Sequence, residues 1–121
     1  MSRHVFEGPV HAAIQAKQQH PHKEVVDEVA AAVASHDVVI VGMAQNPFCK
    51  RARKAVEATG APFEYLEYGS YLSQWKPRLA LKMWSGWGTL PMVFVKGALV
   101  GGATDLEALI ASGEFKQMLE G

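Results

Sequence analysis

Between residues 38 and 68 the chain reads as strand, helix, strand, and that order narrows the folds open to it. Val38-Val39-Ile40-Val41 is a short β-branched run ended by Gly42, the pattern of a buried strand. Asn46-Pro47 then opens a helix. Asn is a favoured N-cap, and Pro suits the first helical position, where its missing N–H is no loss. Gly60 follows Thr59 as a C-cap glycine. Pro62 to Tyr68 reads as a second strand. Two strands joined through a helix are expected to lie parallel in one sheet.

The remaining elements extend this unit. Tyr71 to Met83 has helical character, with a break or kink expected at Pro77. Met92 to Val95 and Leu99-Val100 flank Lys96-Gly97-Ala98, which reads as a β-hairpin. Thr104-Asp105-Leu106-Glu107 has capping-box spacing, so Thr104 is expected to cap a helix running to about Ala111. Glu114 to Leu119 adds a final turn or two. Upstream, Val10 to Gln19 is one helical stretch, entered through Gly8-Pro9. Lys23 to Ala34 is another, with Val25, Val26, Val29, Ala30 and Val33 on one face. The expected architecture is α/β: a four-stranded mixed sheet flanked by helices over residues 37–121, preceded by an N-terminal helical extension over residues 1–36. No repeat or low-complexity tract interrupts it.

Composition removes several function classes. The 121 residues allow one domain. A net charge of +0 supplies no field to recruit nucleic acid or an anionic membrane surface. The aromatic residues are therefore expected to pack a core and a groove rather than stack on bases. No apolar run approaches the ~20 residues a membrane span needs. Met1 to Val10 lacks the apolar stretch of a signal peptide, and a cytoplasmic location is expected. Near-zero charge leaves the oligomeric state open. Cys49 is the single cysteine, so no intramolecular disulfide can form. His20-Pro21-His22 has no neighbouring cysteine or second ligand pair, and no metal site is expected.

Three short segments carry a resemblance. Asn46-Pro47-Phe48-Cys49 stands at a helix start, after the first strand. Trp87-Gly88-Thr89-Leu90-Pro91 precedes the third, and Gly101-Gly102-Ala103-Thr104-Asp105-Leu106 follows the hairpin. In this order, from about Val38 to Leu119, the chain resembles glutaredoxins, members of the thioredoxin superfamily. That family has Cys-Pro-Tyr-Cys or Cys-Gly-Phe-Ser at the first segment. Trp-Pro-Thr-Phe-Pro stands at the second in monothiol members, and Gly-Gly-x-Ser-Asp-Leu at the third in dithiol members. Arg78, Lys82 and Ser85 fall at monothiol-like offsets before Trp87.

The resemblance implies a thioredoxin-like fold and glutathione-linked thiol–disulfide exchange. In that chemistry a thiolate, its pKa lowered at a helix N-terminus, attacks a glutathione mixed disulfide. A second thiol or free glutathione then resolves the product. Carried over by position, Thr89, Leu90 and a cis Pro91 give a backbone docking edge for the cysteinyl part of glutathione. Gly102, Thr104 and Asp105 hold its γ-glutamyl end, and Arg78 approaches its glycyl carboxylate. Two positions depart from the pattern. Asn46 stands at the nucleophile, and Met43 where dithiol members keep a lysine. Cys49 occupies the site of the second, resolving cysteine. Lys50, Arg51, Arg53 and Lys54 lower its pKa if they turn toward it; otherwise it is a small, semi-buried hydrophobe.

Two functions remain open at this stage. One is an oxidoreductase of weak turnover in which Cys49 acts out of position. The other is a non-catalytic module that binds glutathione or a protein. Glutathione is the expected co-substrate or ligand, and glutathione or a glutathionylated protein the expected partner. No iron–sulfur cluster is expected, because monothiol members bind it through the cysteine that Asn46 replaces.

Overall fold

The computed structural model describes residues 23–69 and 75–120. The predicted helix over Val10–Gln19 and the histidines before Lys23 lie outside the described residues. In chain order the elements are α1 (Lys23–Ser35), β1 (Val38–Gly42), α2 (Pro47–Thr59), β2 (Glu64–Glu67), α3 (Trp75–Ser85), β3 (Met92–Val95), β4 (Ala98–Gly101), α4 (Ala103–Ser112) and α5 (Glu114–Glu120).

The four strands form one mixed sheet in the order β2-β1-β3-β4. The β1–β2 pair is parallel, with Ile40 opposite Tyr65. β1 runs antiparallel to β3, with Ile40 opposite Val93. The β3–β4 hairpin turns through Lys96 (φ 51°) and Gly97 (φ 81°), the two positive-φ positions of a type I′ turn.

Side-chain alternation along β1 divides the core into two layers. Val38 and Ile40 pack with Ala52 and Val56 of α2, Leu106 of α4 and Phe115 of α5. Val39 and Val41 pack on the opposite face with Val29 of α1, while Met92 and Phe94 join from β3 and Leu81 from α3. β1 is thus buried on both faces, which is why it is continuously apolar rather than alternating.

Three boundaries differ from the sequence expectation. β2 is shorter than Pro62–Tyr68, and Pro62 has no N–H to give a ladder. α3 is described over Trp75–Ser85, which places Pro77 in the first described turn and carries the helix past Met83. Residues 70–74, where the sequence placed the helix start, lie outside the described residues. Thr104 is not the cap of α4. The helix begins at Ala103, and Gly102 is its N-cap.

Candidate functional site

The site forms where the first turns of α2 and α4 meet the loop before β3. Asn46 has extended backbone (φ −100°, ψ 118°) and Pro47 takes the first helical position. The Asn46 side-chain Oδ1 accepts from the Phe48 N–H at 2.9 Å and the Cys49 N–H at 3.0 Å. Pro47 has no N–H, so of the four donors a helix start ordinarily leaves unpaired three are present here, and two of them are satisfied this way. The Asn46 side chain is therefore a structural cap with its oxygen turned onto the helix. It is 8% exposed.

Cys49 lies one step deeper, 1% exposed, packed with Met43, Tyr68 and Leu90. Burial pushes its thiol above the usual range; a backbone hydrogen bond from Met43 opposes this, Glu67 adds to the rise, and Arg53 works against it. The basic cluster does not turn toward it as a group. Arg53 lies over the Tyr65 ring, 4.6 Å from its centroid. Arg51 reaches away to Glu107 of α4, with Nε donating to Oε2 at 3.2 Å. The sequence missed how tightly this corner closes. A Cβ on Gly42 would stand 2.6 Å from the Tyr65 hydroxyl and 3.0 Å from the Cys49 sulfur.

The raised pKa has a defined sign. The folded state keeps the Cys49 proton beyond the pH at which the unfolded chain releases it. This group's contribution to stability is full below the unfolded thiol pKa and is lost as pH rises through the folded one. The native protein is accordingly expected to resist a colourless-to-coloured thiol reagent at neutral pH. One thiol per chain should appear on denaturation, or as pH passes above the ordinary thiol range. Rapid stoichiometric labelling of the native protein at pH 7 contradicts this placement.

At the second helix start, the Asp105 carboxylate accepts from the Gly102 N–H at 3.0 Å. Gly101, with φ 117°, approaches so closely that a Cβ would fall 2.4 Å from Asp105 Oδ2. Glu107, which the capping-box pattern paired with Thr104, is the partner of Arg51 instead. Between the two helix starts the Leu90–Pro91 peptide bond is cis.

These elements enclose a groove of about 490 Å³. Thr89, Leu90, Pro91, Gly102, Thr104 and Asp105 line it, as does Asn46. Met43, Phe48, Lys82 and Trp87 complete most of the wall. Among the described residues that line it, Lys82 is the only one with a cationic side chain. Arg78 does not line it. It is 7% exposed, and Nη1 donates to the Tyr68 carbonyl at 3.0 Å. The motif offset alone could not separate Arg78 from Lys82, which stands one turn further along α3 and closer to Trp87. The Trp87 Nε1 is buried and makes no hydrogen bond with the described residues. No group of three or more metal-ligating side chains occurs among the described residues.

Known proteins share this fold. The Glutaredoxin family model matches residues 38–100, more than half of the chain. A "Glutaredoxin-like protein" of Dictyostelium discoideum is 46% identical over 84 residues, covering 69% of this chain and 68% of that one. The crystal structure of oxidized glutaredoxin 2 from Chlamydomonas reinhardtii superposes with a TM-score of 0.71 at 26% identity, covering 82% of this chain and 94% of that one. A buckwheat glutaredoxin–glutathione complex shares the fold, with a TM-score of 0.70 at 22% identity over 84% of this chain and 93% of that one. With more than half of its length under that family model and a relative this similar over two thirds of both chains, the protein belongs to the glutaredoxin family.

Proposed function

We propose that the protein is a non-catalytic glutathione-binding module on a glutaredoxin fold. One observation carries the reading: an amide held as a helix cap stands at residue 46, and the only cysteine, Cys49, is buried behind it with its thiol pushed up. An amide offers no nucleophile, and a protonated buried thiol is a poor one. The alternative, turnover through Cys49, needs a thiolate that this environment disfavours.

The groove supports binding without that chemistry. Lys82 answers the glycyl carboxylate, the task the sequence gave to Arg78. The cis-proline edge at Leu90-Pro91 presents backbone to the cysteinyl part, and the start of α4 with Asp105 receives the γ-glutamyl end. The buckwheat complex, which holds glutathione on the same fold, supports this assignment of the ligand.

Two measurements on the full chain test the reading. Calorimetry with reduced glutathione should give a saturable heat below millimolar ligand. Glutathione-dependent reduction of a small mixed disulfide should stay at the uncatalysed rate, in wild type and in Cys49→Ser alike. Turnover that disappears in Cys49→Ser makes the protein an oxidoreductase. Absence of any binding heat up to millimolar ligand removes glutathione from the groove.

A further inference from the structure

The geometry points to an S-substituted γ-glutamyl tripeptide, a thioether carrying an apolar group on sulfur, as the ligand this groove prefers over the free thiol. The inference rests on the proposed glutathione reading and narrows it. In thiol exchange the ligand sulfur meets the side chain at residue 46. Here that side chain is an amide whose oxygen already accepts from the Phe48 and Cys49 N–H groups, so it has no lone pair left for the S–H of a free thiol. The groove-lining side chains nearest to it in the chain, Met43 and Phe48, are both apolar. Met43 is buried, but Phe48 is 50% exposed at the groove wall.

Phe48 is also held in place. The Arg51 guanidinium lies 5.4 Å from its ring centroid, and Glu107 of α4 anchors that guanidinium through Arg51 Nε. An exposed phenylalanine in the first turn of α2 serves no purpose in the core. As a fixed apolar plate beside residue 46, it suits a substituent that continues outward from the ligand sulfur. Lys82 and Asp105, of opposite charge, match a ligand with a carboxylate at one end and an ammonium at the other, and they fix its register along the groove. Burial of apolar surface adds affinity roughly in proportion to area.

Calorimetry with reduced glutathione and with S-hexylglutathione, on wild type and Phe48→Ser, tests this. Wild type should bind S-hexylglutathione about tenfold more tightly, which corresponds to ~1.4 kcal/mol. Phe48→Ser should bring the two ligands to within about twofold of each other, because it removes the surface that only the S-substituted ligand uses. Equal or tighter binding of reduced glutathione by wild type overturns the inference and leaves the glutathione reading standing. So does a preference that survives Phe48→Ser. Absence of binding by either tripeptide overturns both.

Discussion

The Asn46→Cys variant should reduce a glutathione mixed disulfide at least tenfold faster than wild type, and its new thiol should titrate below the ~8.5 of a free cysteine. The site is already arranged for it. Asn46 Oδ1 receives the Phe48 and Cys49 N–H groups at 2.9 and 3.0 Å, and a thiolate sulfur placed there inherits both donors. The positive end of the α2 dipole acts in the same direction. Burial of residue 46 acts against ionisation, but hydrogen bonds to the charged form of an acid lower its pKa strongly. A lowered pKa means that thiolate is present at pH 7. The new sulfur then attacks the disulfide sulfur, the substrate thiolate leaves, and free glutathione resolves the resulting enzyme–glutathione mixed disulfide. Losing the amide cap costs about 1 kcal/mol of stability. The rate of alkylation against pH reads the new thiol directly below the ordinary thiol range, where the raised pKa of buried Cys49 keeps that thiol protonated. A midpoint at or above the free-cysteine value means that the two N–H donors do not reach a sulfur at this position.

Much of the frame was legible because its signals are local. β-Branched residues at 38–41, Asn46-Pro47 at the start of α2 and Gly60 at its end are each decided within a few residues, and each stands where expected. The groove was legible for a similar reason. Asn46, Thr89 to Pro91 and Gly102 to Asp105 all sit at the ends of strands or helices, which this topology gathers at one edge.

The misplacements came from contacts that residue spacing alone does not rank. Thr104 and Glu107 have capping-box spacing, but Gly102 and Asp105 have the same spacing two residues earlier. Glycine lacks the side chain that makes the pattern visible. What settled the frame was Asp105 reaching back to the Gly102 N–H while Glu107 turned across to Arg51 on another helix. Cys49 was ambiguous because its pKa depends on how deeply α2 is pressed onto the sheet. Gly42 and Tyr65 close that corner, and the parallel pairing of β1 with β2 brings them together.

Arg78 and Lys82 give the sharpest separation between a motif offset and the packed molecule. Arg78→Met should lower stability by about 1.5–3 kcal/mol. The arginine is buried and donates to the Tyr68 carbonyl at 3.0 Å, and methionine cannot replace that donor. The Tyr68 hydroxyl donates in turn to Glu28 of α1, so the lost bond also loosens the contact of β2's end with α1 and α3. For a domain near 100 residues the loss is on the order of 10 °C in Tm. Glutathione affinity should stay within about twofold, measured well below that transition. Lys82→Met should do the reverse. Lys82 is half-buried at the groove, so its replacement should change stability by no more than about 0.5 kcal/mol. Affinity should fall roughly five- to tenfold, and the part that Lys82 contributes should shrink as added salt screens it. Thermal melts beside calorimetry separate the two effects in each variant. Should Arg78→Met lose glutathione at an unchanged Tm, the guanidinium turns into the groove when ligand binds, and the carboxylate belongs to Arg78 after all.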